Sequence, residues 1–209
     1  MSRRPAQRRL GRPPASDSNV TRERILRTAR LTFCQLGYGA TTNKHLAERA
    51  DVTTGALYHY FESKLGLYAA VLAEVQKMVY DRFGEVIARS DTFIGALEST
   101  LDAAHELNDE DPSLAQFLGA ARIDVRRYPE LVAVYRPTLR LRQGFFDSVI
   151  ALGVRTGEID RDDIPQVAAL IRTVMIGLVD AVSDDQRLHA EAVEGIKRLL
   201  EGKLIRPIV

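Results

Sequence analysis

Apolar residues recur along most of the chain at spacings of three and four, which is the period of an amphipathic α-helix. The first such stripe contains Ile25, Ala29 and Phe33, and Gly37 follows it. No stretch alternates apolar and polar residues as a half-buried strand does, and no internal repeat is present. The pattern predicts an all-α protein whose first helix spans residues 21–36.

Residues 41–67 predict two short helices that share one apolar seam, as in a helix-turn-helix. Thr42 is placed to cap the first helix and Thr53 the second, because each hydroxyl can accept from a backbone N–H of the helix that follows. The seam positions, at helical spacing, are Leu46, Ala47, Ala50, Leu57, Tyr60 and Phe61.

The opposite face of the second helix carries small, hydroxyl-bearing and imidazole groups, which suits entry into a DNA major groove. Gly55 permits close approach, and Tyr58 can donate to a phosphate. A solvated face is the alternative, because short helices joined by a turn occur in many folds. The residues assigned to DNA contact are Thr42, Asn43, Lys44, Thr53, Thr54, Gly55, Ala56, Tyr58, His59 and Lys64.

The net charge of +1 conceals an uneven distribution along the chain. Residues 1–64 hold 12 Lys+Arg against 5 Asp+Glu, a balance of +7, whereas the remainder holds 17 against 23, a balance of −6. The basic part is the part with the paired helices. Phosphate neutralisation explains this asymmetry more directly than solubility does.

Residues 1–19 are basic, contain three prolines and offer almost nothing to bury, which indicates a disordered arm. Such an arm could lie in a narrow minor groove, where negative potential attracts arginine. Gly11-Arg12-Pro13 resembles the centre of an AT-hook, but Leu10 stands where that motif has arginine, so a generic basic tail is an equal alternative. The arginines assigned to the minor groove are Arg3, Arg4, Arg8, Arg9 and Arg12.

Ser63 is placed to cap a helix that runs to Arg89. At helical rise, residues 63–89 would span roughly 40 Å. A helix this long must leave the small DNA-binding bundle and join a second one. It is therefore the natural lever between the two.

Helical stripes continue from residue 91 onward, and Pro137 is expected to break the longest of them. Aromatic and polar side chains in these middle helices could line a cavity for a small, largely apolar effector, although each could equally be ordinary core or surface. The candidate pocket residues are His105, Phe117, Arg122, Tyr128, Tyr135 and Phe145.

Residues 163–201 predict two final helices, the first of which is apolar on nearly all sides. One neighbouring core cannot easily cover such a helix, so we expect a two-fold, four-helix dimer interface. A central helix of the monomer core is the alternative. The interface candidates are Leu170, Val174, Leu178, Val182, Ile196 and Leu200.

Nothing in the sequence points to a metal, a cofactor or a catalytic centre. The four histidines form no i, i+4 pair and have no cysteine partner, and no phosphate-cradling loop or nucleophile elbow is present. Cys34 is the only cysteine, so no internal disulfide can form, and its helical position favours a small core side chain over a reactive thiol. An enzyme is therefore disfavoured.

The N-terminal segment has no apolar stretch behind its basic residues, so it does not predict a secretory signal. The longest apolar run, residues 167–182, is interrupted by charges and is shorter than a bilayer-spanning helix. We therefore predict a cytoplasmic protein without a membrane span.

Taken as one string, the motif over residues 22–68 resembles the DNA-binding signature of the tetracycline-repressor (TetR) family of bacterial regulators. The matching positions are Thr42, Leu46, Ala47, Val52, Gly55, Leu57, Tyr58, His59, Tyr60, Phe61, Ser63, Lys64 and Leu67. One departure is Asp51, where the family usually has glycine and where a left-handed backbone is expected.

The resemblance implies a homodimeric repressor, released from a palindromic operator in double-stranded DNA by a small effector. The corresponding division is an arm at residues 1–19, a helix-turn-helix domain at 20–68, and an effector-binding and dimerisation bundle at 69–209. A dimeric activator or architectural regulator without a ligand is the alternative, and a helical enzyme is a more distant one.

Overall fold

The computed structural model of the protein describes residues 14–181 and 184–204, and these residues form ten α-helices and one 3₁₀ turn, Arg161–Asp163. The all-α prediction is therefore confirmed for the described part of the chain. The helices are α1 (Pro14–Ala40), α2 (Asn43–Arg49), α3 (Thr54–Tyr60), α4 (Lys64–Ala88), α5 (Phe93–Glu110), α6 (Ser113–Arg127), α7 (Glu130–Tyr135), α8 (Leu139–Thr156), α9 (Ile164–Asp180) and α10 (Gln186–Leu200).

The first helix differs from its predicted limits. It begins at Pro14 rather than at residue 21, so it overlaps the end of the predicted arm. Gly37, with φ of 71°, interrupts the helix near its end, where the sequence predicts a stop. Only glycine adopts this left-handed backbone readily, which explains the break.

The three predicted caps in the helix-turn-helix region are confirmed. The hydroxyls of Thr42, Thr53 and Ser63 each accept a backbone N–H from three residues further on, over 3.0–3.2 Å. Asp51 has φ of 51°, so the turn between α2 and α3 uses the left-handed conformation expected at this position. An aspartate tolerates that conformation less well than glycine does, but better than a branched side chain.

Helix α4 belongs to both halves of the protein. Leu67, Tyr68 and Leu72 are buried in the core formed with α1–α3, whereas Val79 and Phe83 lie in a second core with α5 and α8. Its 25 residues span about 38 Å, close to the predicted length. The long helix predicted to join two bundles is therefore confirmed, and its role as a lever between them stays a prediction.

The two halves also share packed rings. Phe117 of α6 is fully buried, and its ring centroid lies 6.4 Å from that of Phe33 in α1 and 5.3 Å from that of Tyr68 in α4. The core of the helix-turn-helix bundle thus continues into α6.

Pro137 separates α7 from α8, as predicted. Within the described residues, none of the helices combines the length and apolar character needed to cross a membrane.

Candidate nucleic-acid interface and internal cavity

The second helix of the pair presents the predicted face to solvent. Thr54, Gly55, Tyr58 and His59 are exposed, whereas Leu57 on the same helix is buried in the seam. The preceding positions Thr42, Lys44 and Thr53 are also exposed, and Asn43, Ala56 and Lys64 are partly exposed. All ten residues assigned to DNA contact are thus at least partly exposed.

A hydrogen bond connects the two helices on this surface. Nδ2 of Asn43 in α2 donates to Oη of Tyr58 in α3 over 2.6 Å. The bond fixes the orientation of the Tyr58 ring, and the hydroxyl retains its own proton for donation. Lys44 forms an exposed pair with Glu48, with 3.8 Å between Nζ and Oε1.

Lys64 has structural partners that the sequence did not indicate. Its Nζ donates to the carbonyls of Tyr38 (2.8 Å) and Thr41 (2.9 Å) and lies 4.2 Å from the centre of the Tyr38 ring. The ammonium thus satisfies carbonyls at and just beyond the end of α1, where intrahelical partners run out. Burial lowers the pKa of Lys64 from its ordinary value. One of its three N–H groups remains for a phosphate.

The arginines assigned to the minor groove, Arg3, Arg4, Arg8, Arg9 and Arg12, lie outside the described residues, as does Val182.

Arg30 joins α1 to the start of α6. Its Nε donates to Oγ of Ser113 over 2.8 Å, and its Nη2 forms an ion pair with Asp111. Arg30 is only 5% exposed, so this charged side chain is held between helices rather than in solvent. The partners are 81 residues apart, so no local pattern could reveal them.

Cys34 lies nearby, and burial raises the pKa of its thiol to about 11, as suits a core side chain.

Asp124 forms a second polar link between α6 and the helix-turn-helix bundle. Its Oδ2 accepts from the backbone N–H of Tyr38 over 3.0 Å and from Oη of Tyr68 over 3.2 Å. All three residues are buried. Burial, and next the charge of Asp124, raise the pKa of Tyr68. The sequence reasoning missed this site.

A cavity of about 110 Å³, partly open to solvent, lies among α4, α5, α6, α8 and α9. Three of the six predicted pocket residues, Arg122, Tyr135 and Phe145, line it. Nη1 of Arg122 is paired with Oδ2 of Asp180 at 2.5 Å, so its charge is compensated. The apolar lining is formed by Val79, Phe83, Leu107, Leu114, Leu118, Phe146, Met175, Ile176, Leu178 and Val179.

The other three predicted pocket residues lie elsewhere. Phe117 is in the shared core described above, because the buried face of α6 that holds it packs on α1 and α4. Tyr128 packs against Tyr38, with ring centroids 5.3 Å apart, and fills the space beside Gly39. Both pocket assignments are therefore wrong.

His105 does not line the cavity, but it contacts a residue that does. Its Nδ1 is 3.3 Å from Nδ1 of His189, a buried lining residue in α10, and the two rings are stacked. Burial, and next the charge of His105, lower the pKa of His189. His105 therefore contacts the lining without forming part of it.

Two lining residues were missed by sequence reasoning. Gln76 and Asn108 are 4% and 2% exposed, and Oε1 of Gln76 with both amide atoms of Asn108 have no hydrogen-bond partner among the described residues. The sequence pattern could have identified Gln76 as a buried polar residue, because it lies four residues from Leu72 on the buried stripe of α4. A polar residue at such a position calls for a partner.

The predicted dimer interface divides into buried and exposed positions. Leu178 is 4% exposed and packs with Leu101 and Val193 inside its own chain, so its assignment to the interface is wrong. Val174, Ile196 and Leu200 are partly buried against the same cluster. Leu170 in α9 and Leu199 in α10 are 57% and 52% exposed. With Leu188 of α10, which is 44% exposed, these leucines are apolar side chains that a partner could cover.

Two capped helices joined by a left-handed turn, packed on α1 and followed by a helical bundle with an internal cavity, define a helix-turn-helix DNA-binding regulator. The model of bacterial regulatory proteins of the tetR family matches residues 25–71. The chain is 31% identical over 96 residues to the uncharacterized helix-turn-helix regulator TtgW of Pseudomonas putida, a match covering 46% of this chain and 72% of that protein. The protein belongs to the tetR family of transcriptional regulators.

Two further comparisons extend over most of the chain. The transcriptional regulator UidR of Escherichia coli is 24% identical over 191 residues, which are 90% of this chain and 95% of UidR. The crystal structure of FadR from Bacillus subtilis in complex with stearoyl-CoA superposes with a TM-score of 0.69 at 21% identity, over 82% of this chain and 95% of that one. The fold is therefore shared along nearly the full length of FadR.

Proposed function

We propose that the protein is a homodimeric transcriptional repressor that binds a palindromic operator and is released by a small, largely apolar effector. Residues 20–68 contact DNA in this proposal, and residues 69–209 bind the effector and form the dimer. The complex of FadR with stearoyl-CoA supports a regulator that binds a small molecule. Catalysis has no part in the proposal.

One observation carries the regulatory proposal: two helices line the cavity and also pack on the helix-turn-helix bundle. Helix α4 contributes Gln76 to the cavity and Tyr68 to the core of that bundle. Helix α6 contributes Leu118 to the cavity and Asp124 to the hydrogen bond with Tyr68. A ligand that prefers one spacing of α4 and α6 therefore biases the position of α3 relative to the second bundle.

In the DNA complex, Thr54, Gly55 and Ala56 face the bases. Phosphates are contacted chiefly by Thr42, Asn43, Lys44, Thr53, Tyr58, His59 and Lys64. The arginines of the arm, Arg3, Arg4, Arg8, Arg9 and Arg12, lie in the adjacent minor groove. The exposure of α3 and the basic balance of residues 1–64 support this arrangement.

Two copies related by a two-fold axis would present their α3 helices to half-sites about one helical turn, or a multiple of it, apart. The dimer contact in this proposal is formed by α9 and α10, where Leu170 and Leu199 are exposed. A palindromic operator follows from the symmetry of such a dimer.

The DNA-binding part is tested with operator duplexes selected from a random pool. Lys44→Ala should weaken all duplexes alike and reduce the slope of log affinity against log salt by about 1.8, because each of the two subunits neutralises one phosphate fewer. Lys77→Ala is the matched control, since Lys77 is an exposed lysine of α4 beyond the motif. Removing residues 1–12 should reduce the slope further. Unchanged affinity and slope for Lys44→Ala and Tyr58→Ala would refute the assignment.

The regulatory part is tested by linkage. Compounds that raise the melting temperature of the DNA-free protein are titrated into the protein–operator complex. An effector must bind the DNA-free form more tightly by the same factor by which it weakens operator binding, about 5- to 150-fold for a typical coupling. Cavity-bound compounds that leave operator affinity unchanged would exclude induction and favour a regulator without a ligand.

A further inference from the structure

Two uncharged amide side chains lie in the wall of a cavity whose other polar lining residues are Tyr80, Tyr135, His189, Arg122, Arg142 and Arg172. Gln76 comes from α4 and Asn108 from α5, and both residues are more than nine-tenths buried. Oε1 of Gln76, and both Oδ1 and Nδ2 of Asn108, lack a hydrogen-bond partner among the described residues. Buried polar atoms without a partner are rare, and each calls for an explanation.

Local packing does not explain the amides. Gln76 lies on the buried stripe of α4 between Leu72 and Val79, where an apolar side chain would fill the same space without leaving a buried oxygen unpaired. Lining residues of α5 and α6 such as Leu107 and Leu114 are apolar. The wall of the cavity therefore contains hydrogen-bonding groups that the protein itself does not satisfy.

Given the effector-binding role proposed above, we infer that the effector is an apolar molecule of about single-ring size with one uncharged group that both donates and accepts hydrogen bonds. A carboxamide can pair with all three atoms, and a hydroxyl can pair with the Asn108 amide N–H and one of the two oxygens. Asn108 offers a donor and an acceptor, and Gln76 offers an acceptor. A carboxylate supplies only acceptors, so it would leave both amide oxygens unpaired. An ammonium would leave Nδ2 of Asn108 unpaired and would add a positive charge beside the lining arginines.

The size of the cavity sets the size of the molecule. Its volume is about 110 Å³, and an apolar cavity of about 150 Å³ in another protein core binds benzene. One ring is therefore the largest apolar body that the enclosed part of the cavity can hold, and a longer substituent would extend toward its open side. The polar group joins Gln76 of α4 to Asn108 of α5, which places the effector directly on the helix that continues into the helix-turn-helix bundle.

Phenol, toluene and benzoate provide a matched set of probes at neutral pH. Phenol donates and accepts, toluene does neither, and ionised benzoate only accepts. Each is titrated into the full-length wild-type protein, and binding is followed by NMR through the side-chain amide signals of Asn and Gln. We expect phenol to shift the signals of Gln76 and Asn108 and to bind at least about tenfold more tightly than either analogue.

Single variants identify the residues that cause the preference for phenol over toluene. Asn108→Leu and Gln76→Met, measured separately, should each reduce the preference for phenol over toluene several-fold, while toluene still binds. Gln116→Met is the matched control, because Gln116 is an exposed amide on α6 outside the cavity, and it should retain the wild-type preference. If a variant does not fold, the comparison of the three probes on the wild-type protein still decides the question.

Equal binding of toluene and phenol would overturn the inference, because it would mean that the amides do not select the ligand. Tighter binding of benzoate, or no binding by any of the three probes, would overturn it as well. Operator affinity is measured on the same samples. A protein that binds its operator but does not prefer phenol refutes this inference alone, whereas a protein that binds no operator refutes the proposed function, whatever phenol does.

Discussion

Oη of Tyr68 donates a hydrogen bond of 3.2 Å to Oδ2 of Asp124, and this buried contact joins α4 to α6. The same carboxylate oxygen accepts from the backbone N–H of Tyr38 at the end of α1. Three helices therefore meet at one side chain. Since α4 and α6 also line the cavity, a change in their spacing must either stretch this contact or move α1 with it.

Tyr68→Phe should lower the free energy of unfolding by about 1–3 kcal/mol, because it removes a donor to a buried carboxylate while leaving the ring packing in place. Tyr60→Phe is the matched control, since the hydroxyl of this partly buried tyrosine makes no hydrogen bond within the described chain. Urea unfolding monitored by circular dichroism measures both. Equal stability of the two variants would show that the contact contributes nothing.

Substitution of Lys64 tests whether its side chain stabilises the fold in addition to binding DNA. Lys64→Met should lower the free energy of unfolding by about 1–3 kcal/mol, because the carbonyls of Tyr38 and Thr41 lose a charged donor. Lys44→Met should change it by less than about 0.5 kcal/mol, since the Lys44 side chain is 79% exposed. Both should weaken operator binding. A Lys64→Met protein as stable as wild type would indicate that Lys64 serves DNA alone.

The elements that the sequence predicted well are those determined by neighbouring residues. The caps at Thr42, Thr53 and Ser63 depend on a hydroxyl and the next turn of helix, and the break at Pro137 depends on one ring. The outward face of α3 followed from helical spacing alone. Local rules therefore gave both the helix-turn-helix and the surface that it presents.

Contacts between distant segments could not be predicted from neighbouring residues. Arg30 and Asp111 each carry a charge that a local pattern assigns to solvent, and only the packing of α1 on α6 brings them together. Helix α9 is apolar on nearly all sides. This pattern does not show whether the helix lies in the monomer core or in a dimer interface, because both bury apolar side chains. Leu178 turned out to belong to the core. Half of the predicted cavity residues were placed wrongly for the same reason.

The dimer proposal predicts opposite outcomes for two exposed apolar positions. Leu170→Glu places a carboxylate on the outer side of α9, where a partner would bury it, and an unpaired buried charge costs several kcal/mol. We expect sedimentation velocity to show a folded monomer at micromolar concentration. Val132→Glu is the matched control, because Val132 is similarly exposed but lies on α7. A wild-type protein that is itself a monomer at this concentration would contradict the proposal.

The His105–His189 pair predicts how stability depends on pH. The pKa of His189 is lowered in the folded protein by burial and by the charge of His105, so the unfolded chain takes up a proton at a higher pH than the folded chain does. The contribution of His189 to stability is therefore constant above the ordinary pKa of 6.5 and is lost progressively as the pH falls below it. We expect the free energy of unfolding to fall between pH 7.5 and 5.5, and this fall to be smaller in His189→Asn.

His59→Asn should keep the wild-type dependence, because His59 is exposed on α3. Urea titrations at three pH values test this prediction, and parallel curves for wild type and His189→Asn would show that the pair does not couple protonation to folding.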